Sequence, residues 1–351
     1  MVEVKVAIMI LSCNSMRWLP NCLRSLALTD HSNIEIYLVD NGSVDGSVDY
    51  VARNFPSVRI IRHERNLGFA EGYNRATEKV DAEYLLFVNS DTEILDPGWV
   101  RHLLTVANLD SNIAAVACKM VSMDDHVILD SVGGMGIPFW RGFTDIGRGE
   151  TDRGQYDRDR FEPFSFCGGA ALIRRDLFMK MEGFDRRFFM YVEDVDLSWR
   201  LRLQGYRVGF APCATVAHYF SGSTGSKAVD PGKLHFCHRN LLRAIVKNCG
   251  SSLGWALTNY FLFSVALVAG FSLLEPMKAV AVMKAICWNL LNLRDSYGLR
   301  VKIQNQRKTG EREILSWMYP RLERQQPAEH PALRRILDIL FERSQLSHLG
   351  K

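Results

Sequence analysis

The segment YLLFVNSDT, residues 84–92, joins an apolar run to polar side chains that follow it directly. Its first part, Tyr84–Val88, predicts a short strand buried on both faces. Asn89 and Asp91 come next, two residues apart, so that their oxygen atoms can face the same way and clamp one hard cation. The alternative interpretation is an ordinary polar exit from strand to loop.

The same pattern recurs earlier in the chain. Three other apolar runs alternate with segments of helical spacing: Val4–Leu11, Ile34–Val39 and Val58–Ile61. This alternation predicts a mostly parallel sheet with right-handed crossovers, in which ligands bind beyond the carboxyl ends of the strands. Polar residues do follow each run, and these form the candidate binding set: Ser12, Asn14, Asp40, Asn41, Asn66, Gly68, Asn89, Ser90 and Asp91.

Two of these strand ends have a specific chemical interpretation. Asp40 begins the turn in the segment VDNGSVDGS. Its carboxylate can accept a hydrogen bond from a pyrimidine N–H or from a ribose hydroxyl. The alternative is an Asx turn that caps the next helix. The segment 66–70, NLGFA, opens another helix with backbone N–H groups that suit a phosphate, and its alternative is again a simple turn.

The segment FFMYVEDVD, residues 188–196, places three acids in four positions behind an aromatic run. Carboxylates beside large apolar side chains are costly unless a metal, hydrogen bonds or a catalytic task uses them. We therefore predict that Glu193, Asp194 or Asp196 is a general base whose pKa is raised by burial. Capping of a helix over Val195–Leu203 is the alternative, although one acid would suffice for it.

His218 follows the apolar segment ATVA and precedes the small-residue loop SGSTGS. A single histidine is usually a packing or surface residue. At the end of a strand beside the acidic segment, however, it is a candidate for contact with a metal or a diphosphate.

Regular patterns are weaker in the middle of the chain. Residues 124–162 are rich in Gly, Asp and Arg, which predicts a loop, either a mobile lid over a ligand or a solvated insertion. A regular apolar pattern begins again at Phe166–Ile173. Residues Arg207–Ala211 are predicted to form a strand that ends at Pro212.

The composition changes after about residue 247. Ser251–Leu274 contains no charged residue, and Met277–Leu293 follows it after a Glu-Pro break. Residues 294–324 then carry eight Lys/Arg against four Asp/Glu. Two apolar helices followed by a Lys/Arg-rich segment predict an anchor that lies in the membrane interface. The alternatives are a transmembrane helix and a helical element that is buried in the protein or forms a dimer.

The overall composition narrows the class of protein. With 351 residues, 47% of them apolar, the chain can bury a large core, and a net charge of +4 spread among acids does not suggest nucleic-acid binding. The eight cysteines show no C-x-x-C spacing, which predicts reduced thiols, and Val2–Leu11 indicates a strand rather than a signal peptide. We therefore expect a cytoplasmic protein, at the inner face of the cell membrane.

Together the motifs resemble glycosyltransferase family 2, the inverting family with the GT-A fold, and are most similar to bacterial rhamnosyltransferase-like enzymes of polysaccharide assembly. The segments that carry the resemblance, in chain order, are VAIMILSCNS, VDNGSVDGS, NLGFAEGYN, NSDT, CGGAALIRRDLF, GFDRRFFMYVEDVDLSWRLRLQGYRV and His218. The tail RVKIQNQRKTGEREIL is also similar. The resemblance implies an α/β GT-A domain over residues 1–226, with a nucleotide-binding half to about 122 and an acceptor half after it, and a helical C-terminal region over residues 227–351.

The resemblance also implies roles for individual residues. The nucleotide of a diphosphate-sugar donor would be held by Ser12, Asn14, Asp40, Asn41, Asn66, Gly68 and Ser90. A divalent metal, Mg²⁺ or Mn²⁺, would be held by Asp91 and His218, with Asn89 in place of the family's first aspartate. Asp194 falls where the catalytic base sits, and the donor and acceptor sugars would be contacted by Gly168, Gly169, Glu193, Trp199 and Arg200.

Further partners follow from the same resemblance. The favoured donor is dTDP-rhamnose or a UDP-sugar, the acceptor is a saccharide, in particular a lipid-linked one, and a homodimer through the C-terminal helices is an option. A dinucleotide-dependent oxidoreductase is disfavoured because the turn after the first strand, SCNSMRW, has no glycine. A non-catalytic sugar- or nucleotide-binding module is disfavoured by the retained acids, and a processive synthase by the lack of several convincing spans.

Overall fold

The computed structural model describes residues 4–137, 140–157, 161–219 and 230–318. The predicted domain boundary at residue 226, the SGSTGS loop and the end of the basic tail lie outside these ranges. All eight cysteines lie within them, and all eight are free thiols.

Strands and helices alternate through the first third of the chain. In order they are β1 (Val6–Ser12), α1 (Leu19–Leu26), β2 (Ile34–Asn41), α2 (Ser47–Asn54), β3 (Arg59–His63), α3 (Gly68–Thr77), β4 (Tyr84–Asn89), β5 (Thr92–Ile94) and α4 (Trp99–Ala107). The four predicted strands are present within two residues of their expected limits. The fourth helix begins at Trp99, after a turn in which Asp96 accepts a hydrogen bond from the N–H of Gly98.

The rest of the chain adds a longer strand pair and a series of helices. These elements are β6 (Ile113–Ser122), β7 (Leu129–Ser131), β8 (Gly134–Ile137), β9 (Gly142–Asp145), β10 (Ala170–Arg174), α5 (Arg175–Lys180), α6 (Glu193–Leu203), β11 (Arg207–His218), α7 (Pro231–Asn248), α8 (Leu253–Leu274), α9 (Pro276–Leu291), α10 (Leu293–Asn305) and α11 (Glu311–Met318).

One mixed sheet forms the centre of the molecule, with strand order β3-β2-β1-β4-β10-β6-β11-β5 and β7 paired to β6. Strands β1 to β4 are mutually parallel where they pair, and β10 runs antiparallel between β4 and β6. Side chains of β1 alternate between two apolar clusters, with Ala7 and Met9 in one and Val6, Ile8 and Ile10 in the other. The sheet is therefore buried on both faces, as the continuous apolar runs predict.

The segment 124–162 is not the plain loop that we expected. It contains β7 and the separate β8–β9 hairpin, and Trp140 is 1% exposed and stacked on Trp199 with ring centroids 5.6 Å apart. Gly and Asp residues weaken the sequence pattern because they form the turns between very short strands. The described part of this insertion is packed against the core.

Strand β11 also differs from its prediction, because it continues through Pro212 to His218. The pairing with β6 shifts register between Ala211 and Thr215, so the proline sits at an irregularity where no ladder N–H is required. The strand predicted to end at Ala211 and the ATVA segment are therefore one strand.

Candidate active site

The pairing of β5 with β11 brings Asp91 and His218 together. Asp91 lies in the turn between β4 and β5, and the antiparallel register places His218 opposite Thr92, the next residue. His218 Nε2 lies 3.6 Å from Asp91 Oδ1, and Tyr219 N donates to the Asp91 carbonyl at 3.0 Å. Two residues 127 positions apart in sequence thus lie next to each other where β5 pairs with β11.

Asp130 of β7 holds the other side of the His218 ring. The distance from His218 Nδ1 to Asp130 Oδ2 is 2.6 Å, and Arg148 contacts the second oxygen of Asp130 at 3.2 Å. Burial alone would lower the pKa of His218, but the hydrogen bonds to Asp130 and Asp91 outweigh it and raise the pKa to about 9. Asp130 was not among the sequence candidates.

The Asp91–His218 pair has the chemistry of half a metal site. A carboxylate oxygen and an imidazole nitrogen 3.6 Å apart can bind one divalent cation, and a carboxylate on the other ring nitrogen is the usual support of a metal-bound histidine. Within the described ranges, no group of three or more His, Cys, Asp and Glu side chains could hold a metal ion. The remaining ligands would have to come from Asn89 and from a bound diphosphate.

Ser12 is the last residue of β1 and is paired in register with Asp40, the residue before the end of the neighbouring strand β2. Both are buried, and in the described part of the chain the Ser12 hydroxyl and the second carboxylate oxygen of Asp40 make no hydrogen bond. The nearest cation, Arg62 Nε, is 3.7 Å from that oxygen. Buried polar groups without partners are rare, so this pair is suited to a polar ligand such as a nucleoside.

The loop after β1 is tied to the loop after β2. Asn14, in the left-handed conformation with φ 52°, accepts from Val44 N at 2.8 Å, and its own N–H donates to Ser43 at 2.9 Å. The Ser90 hydroxyl donates to Ser15 at 2.9 Å, which connects the same loop to β4. These hydrogen bonds join the loops that follow β1, β2 and β4 into one surface. Asn14 is exposed at the edge of that surface.

Asn41, Asn66 and Gly68 form a structural junction rather than a set of free donors, which corrects the prediction for this loop. The Asn41 amide donates to Asn66 and to the Gly68 carbonyl, each at 3.0 Å, and accepts from Leu67 N. Gly68 N donates to Asn66, and Phe69 N donates to the Phe189 carbonyl. The N–H groups that we expected to meet a phosphate are therefore engaged within the protein.

Asp194 lies in the first turn of α6 and is held by two backbone groups. Gly168 N donates to one carboxylate oxygen at 2.8 Å and Val195 N to the other at 2.7 Å. Burial raises the pKa of Asp194 to about 6, against these two hydrogen bonds, and the nearby Asp145 carboxylate adds to the increase. A carboxylate with this pKa is ionised at neutral pH and still basic enough to accept a proton.

The turn that carries Asp194 is strained. Tyr191 and Val192 both have positive φ, 69° and 70°, a conformation that is rare for a β-branched residue. Asn240 of α7, fully buried, donates to the carbonyls of Met190 and Tyr191 at 2.9 and 2.8 Å. Helix α7 thus holds the turn in a shape that the local sequence does not favour.

The three neighbouring acids occupy three different environments. Glu193 is buried, with one carboxylate oxygen that has no hydrogen-bond partner in the described part of the chain, and burial together with Asp194 raises its pKa well above the usual value. Asp196 is fully buried in ion pairs with Arg200 at 2.9 Å and Lys247 at 3.0 Å. Of the three, Asp194 alone combines ionisation near neutral pH with a place beside the glycine pair.

The segment Cys167–Gly169 lies between Asp194 and Asn89, the neighbour of Asp91 in the candidate metal site. Gly168 binds Asp194, whereas the Gly169 carbonyl accepts from Asn89 N at 2.8 Å. Burial raises the pKa of Cys167 well above its usual value, and the charges of Asp145, Asp194 and Asp130 add to the increase. Asn89, Asp91, His218, Gly168, Gly169 and Asp194 therefore lie on one connected surface.

Trp199 and Arg200 do not reach this surface, contrary to the prediction. Trp199 is 1% exposed because it packs against the insertion and stacks on Trp140. Arg200 is paired with Asp196, and its guanidinium donates to the carbonyls of Met181 and Gly183 at 2.7 and 2.8 Å. It lines a cleft of about 610 Å³ together with Arg243 and Lys247, away from Asp91 and His218.

The residues that sequence reasoning missed come mainly from the insertion. Arg148 bridges Asp130 and Asp145 at 3.2 Å each, and Ser131 donates to Asp145 at 2.9 Å. Isolated acids between apolar residues, as in the segment 128–132, ILDSV, were the available signal. Their partners lie far away in sequence, so the pattern alone did not separate them from surface acids.

The arrangement of strands and flanking helices is that of the GT-A fold, found in transferases that use nucleotide-diphospho sugars. The chain belongs to glycosyltransferase family 2. The model of the "Glycosyl transferase family 2" domain matches residues 7–181, and a curated rhamnosyltransferase is 30% identical to this chain over 72% of its own length. The predicted family and fold class are thereby confirmed, and the chain is a glycosyltransferase.

Two curated relatives illustrate the similarity. An N-acetylglucosaminyl-diphospho-decaprenol L-rhamnosyltransferase of Mycobacterium tuberculosis is 30% identical over 231 residues, 58% of this chain and 72% of the relative. The O-antigen biosynthesis protein RfbC of Myxococcus xanthus is 28% identical over 225 residues, 60% of this chain and 17% of that protein.

Solved structures show the same fold at low identity. The mannosyltransferase PcManGT from Pyrobaculum calidifontis, in complex with GDP-Man and Mn²⁺, has a TM-score of 0.52 at 16% identity and covers 87% of this chain and 86% of its own. GalNAc-T7, with UDP, GalNAc and Mn²⁺, has a TM-score of 0.59 at 15% identity and covers 83% and 58%. At these identities the likeness is one of fold.

Proposed function

We propose that this chain is a metal-dependent, inverting glycosyltransferase that transfers one sugar from a nucleotide-diphosphate sugar to an acceptor hydroxyl. The observation that carries the proposal is the position of Asp194, a carboxyl group with a pKa of about 6, on the same surface as the Asp91–His218 pair. A base on one side and a cation-binding pair on the other are the two groups that a single displacement at an anomeric carbon requires.

The chain's own residues would act as follows. Asp40 and Ser12 bind the nucleoside with the polar atoms that lack partners in the protein. Asp91 and His218, assisted by Asn89, would hold Mg²⁺ or Mn²⁺, and the bound cation would neutralise charge on the leaving diphosphate. Asp194 accepts the proton of the acceptor hydroxyl as that oxygen attacks, and the backbone of Gly168 keeps the carboxylate in place. One displacement inverts the anomeric centre, so no protein nucleophile is needed.

For the substrates, similarity supports dTDP-rhamnose as donor, with UDP-sugars next. The relative from M. tuberculosis is named for transfer of L-rhamnose to an N-acetylglucosaminyl-diphospho-decaprenol, and two solved neighbours hold GDP-Man or UDP with Mn²⁺. We propose a lipid-linked saccharide as acceptor in surface-polysaccharide synthesis, with the enzyme at the cytoplasmic face of the membrane and in peripheral contact with it.

A panel of nucleotide sugars with and without Mn²⁺ tests the donor site directly. Ligand at 100 times its dissociation constant should stabilise the folded protein by about 2.7 kcal/mol, because it binds only that state. We expect the largest rise in thermal midpoint with a dTDP- or UDP-sugar plus Mn²⁺, and a smaller one without the metal. No shift with any donor would contradict the proposal.

The competing function is a non-catalytic binding module on the same fold, which would show the same stabilisation. Release of free nucleoside diphosphate, measured with and without a saccharide acceptor, separates the two functions. We expect acceptor-dependent release and a product of inverted anomeric configuration by NMR. Stabilisation without release under all acceptor conditions would favour the module.

Asp130 should control metal affinity through His218. The substitution Asp130→Asn keeps the size of the side chain but removes the charge that supports the imidazole, so we expect Mn²⁺ affinity to fall about 10- to 100-fold. The measurement is an EPR titration of free Mn²⁺ in the presence of nucleoside diphosphate. Asp176→Asn, an exposed acid in α5, is the matched control. Equal affinities in the two variants would show that Asp130 only packs against His218.

A further inference from the structure

Helices α8 and α9 form a hairpin whose surface lacks a covering partner in the described part of the chain. Helix α8 has no charged residue over its 22 positions, and most of its side chains are not buried in the protein. Its buried residues, Ala256, Tyr260 and Ser264, are four positions apart and form one stripe. It is long and apolar enough to cross a membrane, by length and composition alone.

The hairpin projects beyond the helix on which it rests. The Tyr260 hydroxyl donates to the His238 carbonyl at 3.2 Å, and the His238 ring stacks on Phe263, so α8 runs back along α7. Helix α7 has seven residues before His238, whereas α8 has fourteen after Tyr260. Counted from Phe263, which also contacts His238, α8 has eleven residues left, so at 1.5 Å per residue its end lies about 6 Å past the start of α7.

That end of α7 is the end next to the base. Lys233 Nζ lies 5.4 Å from the Tyr191 ring centroid, and Phe236 stacks on Phe189 at 5.5 Å. Both aromatic residues belong to the run that leads into Asp194. The hairpin tip and the base-bearing turn thus lie toward the same end of α7.

The exposed residues of the hairpin form one face along most of α8 and surround the helix only at the tip. On α8 and in the turn they are Phe261, Leu262, Val265, Leu273, Leu274 and Met277, from 38% to 87% exposed. At 3.6 residues per turn the first four spread over about a third of the α8 circumference, whereas in the last turn, residues 269–274, every residue except Phe271 is exposed. A second protein copy would cover one face of such a projection, whereas lipid chains cover all sides.

A full span does not fit the packing. Trp255 contacts Trp140 with ring centroids 6.3 Å apart, and Ala256 and Tyr260 are buried, so the first part of α8 is bound to the protein. The part beyond the last buried residue, Val265–Leu274, is about 15 Å long, short of a hydrocarbon core of about 30 Å. Helix α9 returns on the same side, with Val282 and Ala285 buried. The one acid at the turn, Glu275, is paired with Lys278 at 2.5 Å, which lowers the cost of taking it out of water.

We infer that the α8–α9 hairpin inserts into one leaflet of a lipid bilayer and so holds the base end of the cleft at the membrane surface. Insertion rests on the hairpin alone, whereas the supply of a lipid-linked acceptor from that surface rests on the proposed function.

The test is flotation of the full-length protein with preformed vesicles of phosphatidylethanolamine and phosphatidylglycerol. The triple variant L273D/L274D/M277D should lower the partition constant about 100-fold or more, because three apolar side chains no longer leave water. The matched control, L28D/L109D/V127D, changes three exposed apolar residues outside the hairpin and should bind like the wild type.

Two further readouts decide between the occupants of this surface. A wild-type dimer that the triple variant splits, without vesicle binding, would overturn the inference in favour of a second copy. Release of a trapped dye on binding would contradict insertion into a single leaflet. Transfer to a water-soluble acceptor should be equal in the wild type and the triple variant, and its absence from both would count against the proposed function and not against the hairpin.

Discussion

Replacing Asp194 with asparagine should lower the rate of sugar transfer by about 10²- to 10⁴-fold while donor binding and folding are retained. The amide keeps the size of the side chain and one acceptor oxygen for the N–H of Gly168. It cannot accept the proton of the acceptor hydroxyl, so the loss should appear in kcat. The measurement is nucleoside-diphosphate release under saturating donor and acceptor.

The neighbouring acid provides the control for this experiment. The pKa of Glu193 is raised well above its usual value by burial and by Asp194, so Glu193→Gln removes less charge than the same change at an exposed site. We expect its rate to remain within a fewfold of the wild type. If Asp194→Asn also remained within a fewfold, Asp194 would not be the base.

The pH dependence follows from the same group. The base is active when deprotonated and its pKa is about 6, so the wild-type rate should be constant above pH 7 and fall about tenfold per unit well below pH 6. The Glu193→Gln variant should show the same fall in rate below pH 6, whereas the residual activity of Asp194→Asn should not depend on pH in this range.

Replacing Asp185 with asparagine should lower the free energy of unfolding by about 3–5 kcal/mol, the largest stability effect that we expect. Asp185 accepts from Arg243 Nε at 2.8 Å and is paired with Lys247, and all three side chains are almost completely buried. Without the carboxylate, two buried cations share fewer counter-ions. The measurement is the midpoint of urea unfolding, with Asp176→Asn, an exposed ion pair, as a control that should change by less than about 1 kcal/mol.

The sign of the pH effect on stability is set by the same contacts. Burial alone would raise the pKa of Asp185, but Lys247 and Arg243 lower it below its usual value of 3.8. A depressed carboxyl pKa stabilises the folded state at neutral pH, and this contribution is lost as the pH falls through 3.8 and below. The stability difference between the wild type and Asp185→Asn should therefore shrink in acid. An equal difference at pH 7 and pH 3 would show that packing, not charge, is responsible.

The ion pairs of Asp185 and Asp196 also connect the two parts of the chain. Asp196 lies on α6 two residues after the base, and Lys247 of α7 contacts both acids. Asn240 of the same helix holds the strained turn at Tyr191. Helix α7, which sequence reasoning assigned to a separate helical region, therefore positions the base-bearing turn of the catalytic part.

The sequence alone determined the features that depend on local spacing. The continuous apolar runs specified β1 to β4, and the polar residues behind them marked the outlet edge of a parallel sheet, because parallel strands place their carboxyl ends together. The aromatic run before the acids indicated a carboxyl group of raised pKa, and Asp194 has one. The 22-residue stretch without charge indicated α8.

Only the tertiary structure decided which polar residues are free and which are used within the protein. Asn41 and Arg200 carry the right chemistry for a ligand, but Gly68 and Asp196 satisfy them. Asp130 looked like a surface acid until β7 brought it to His218, 88 residues away. A side chain's availability depends on partners that arrive through long-range packing, and one-dimensional spacing carries no information about those partners.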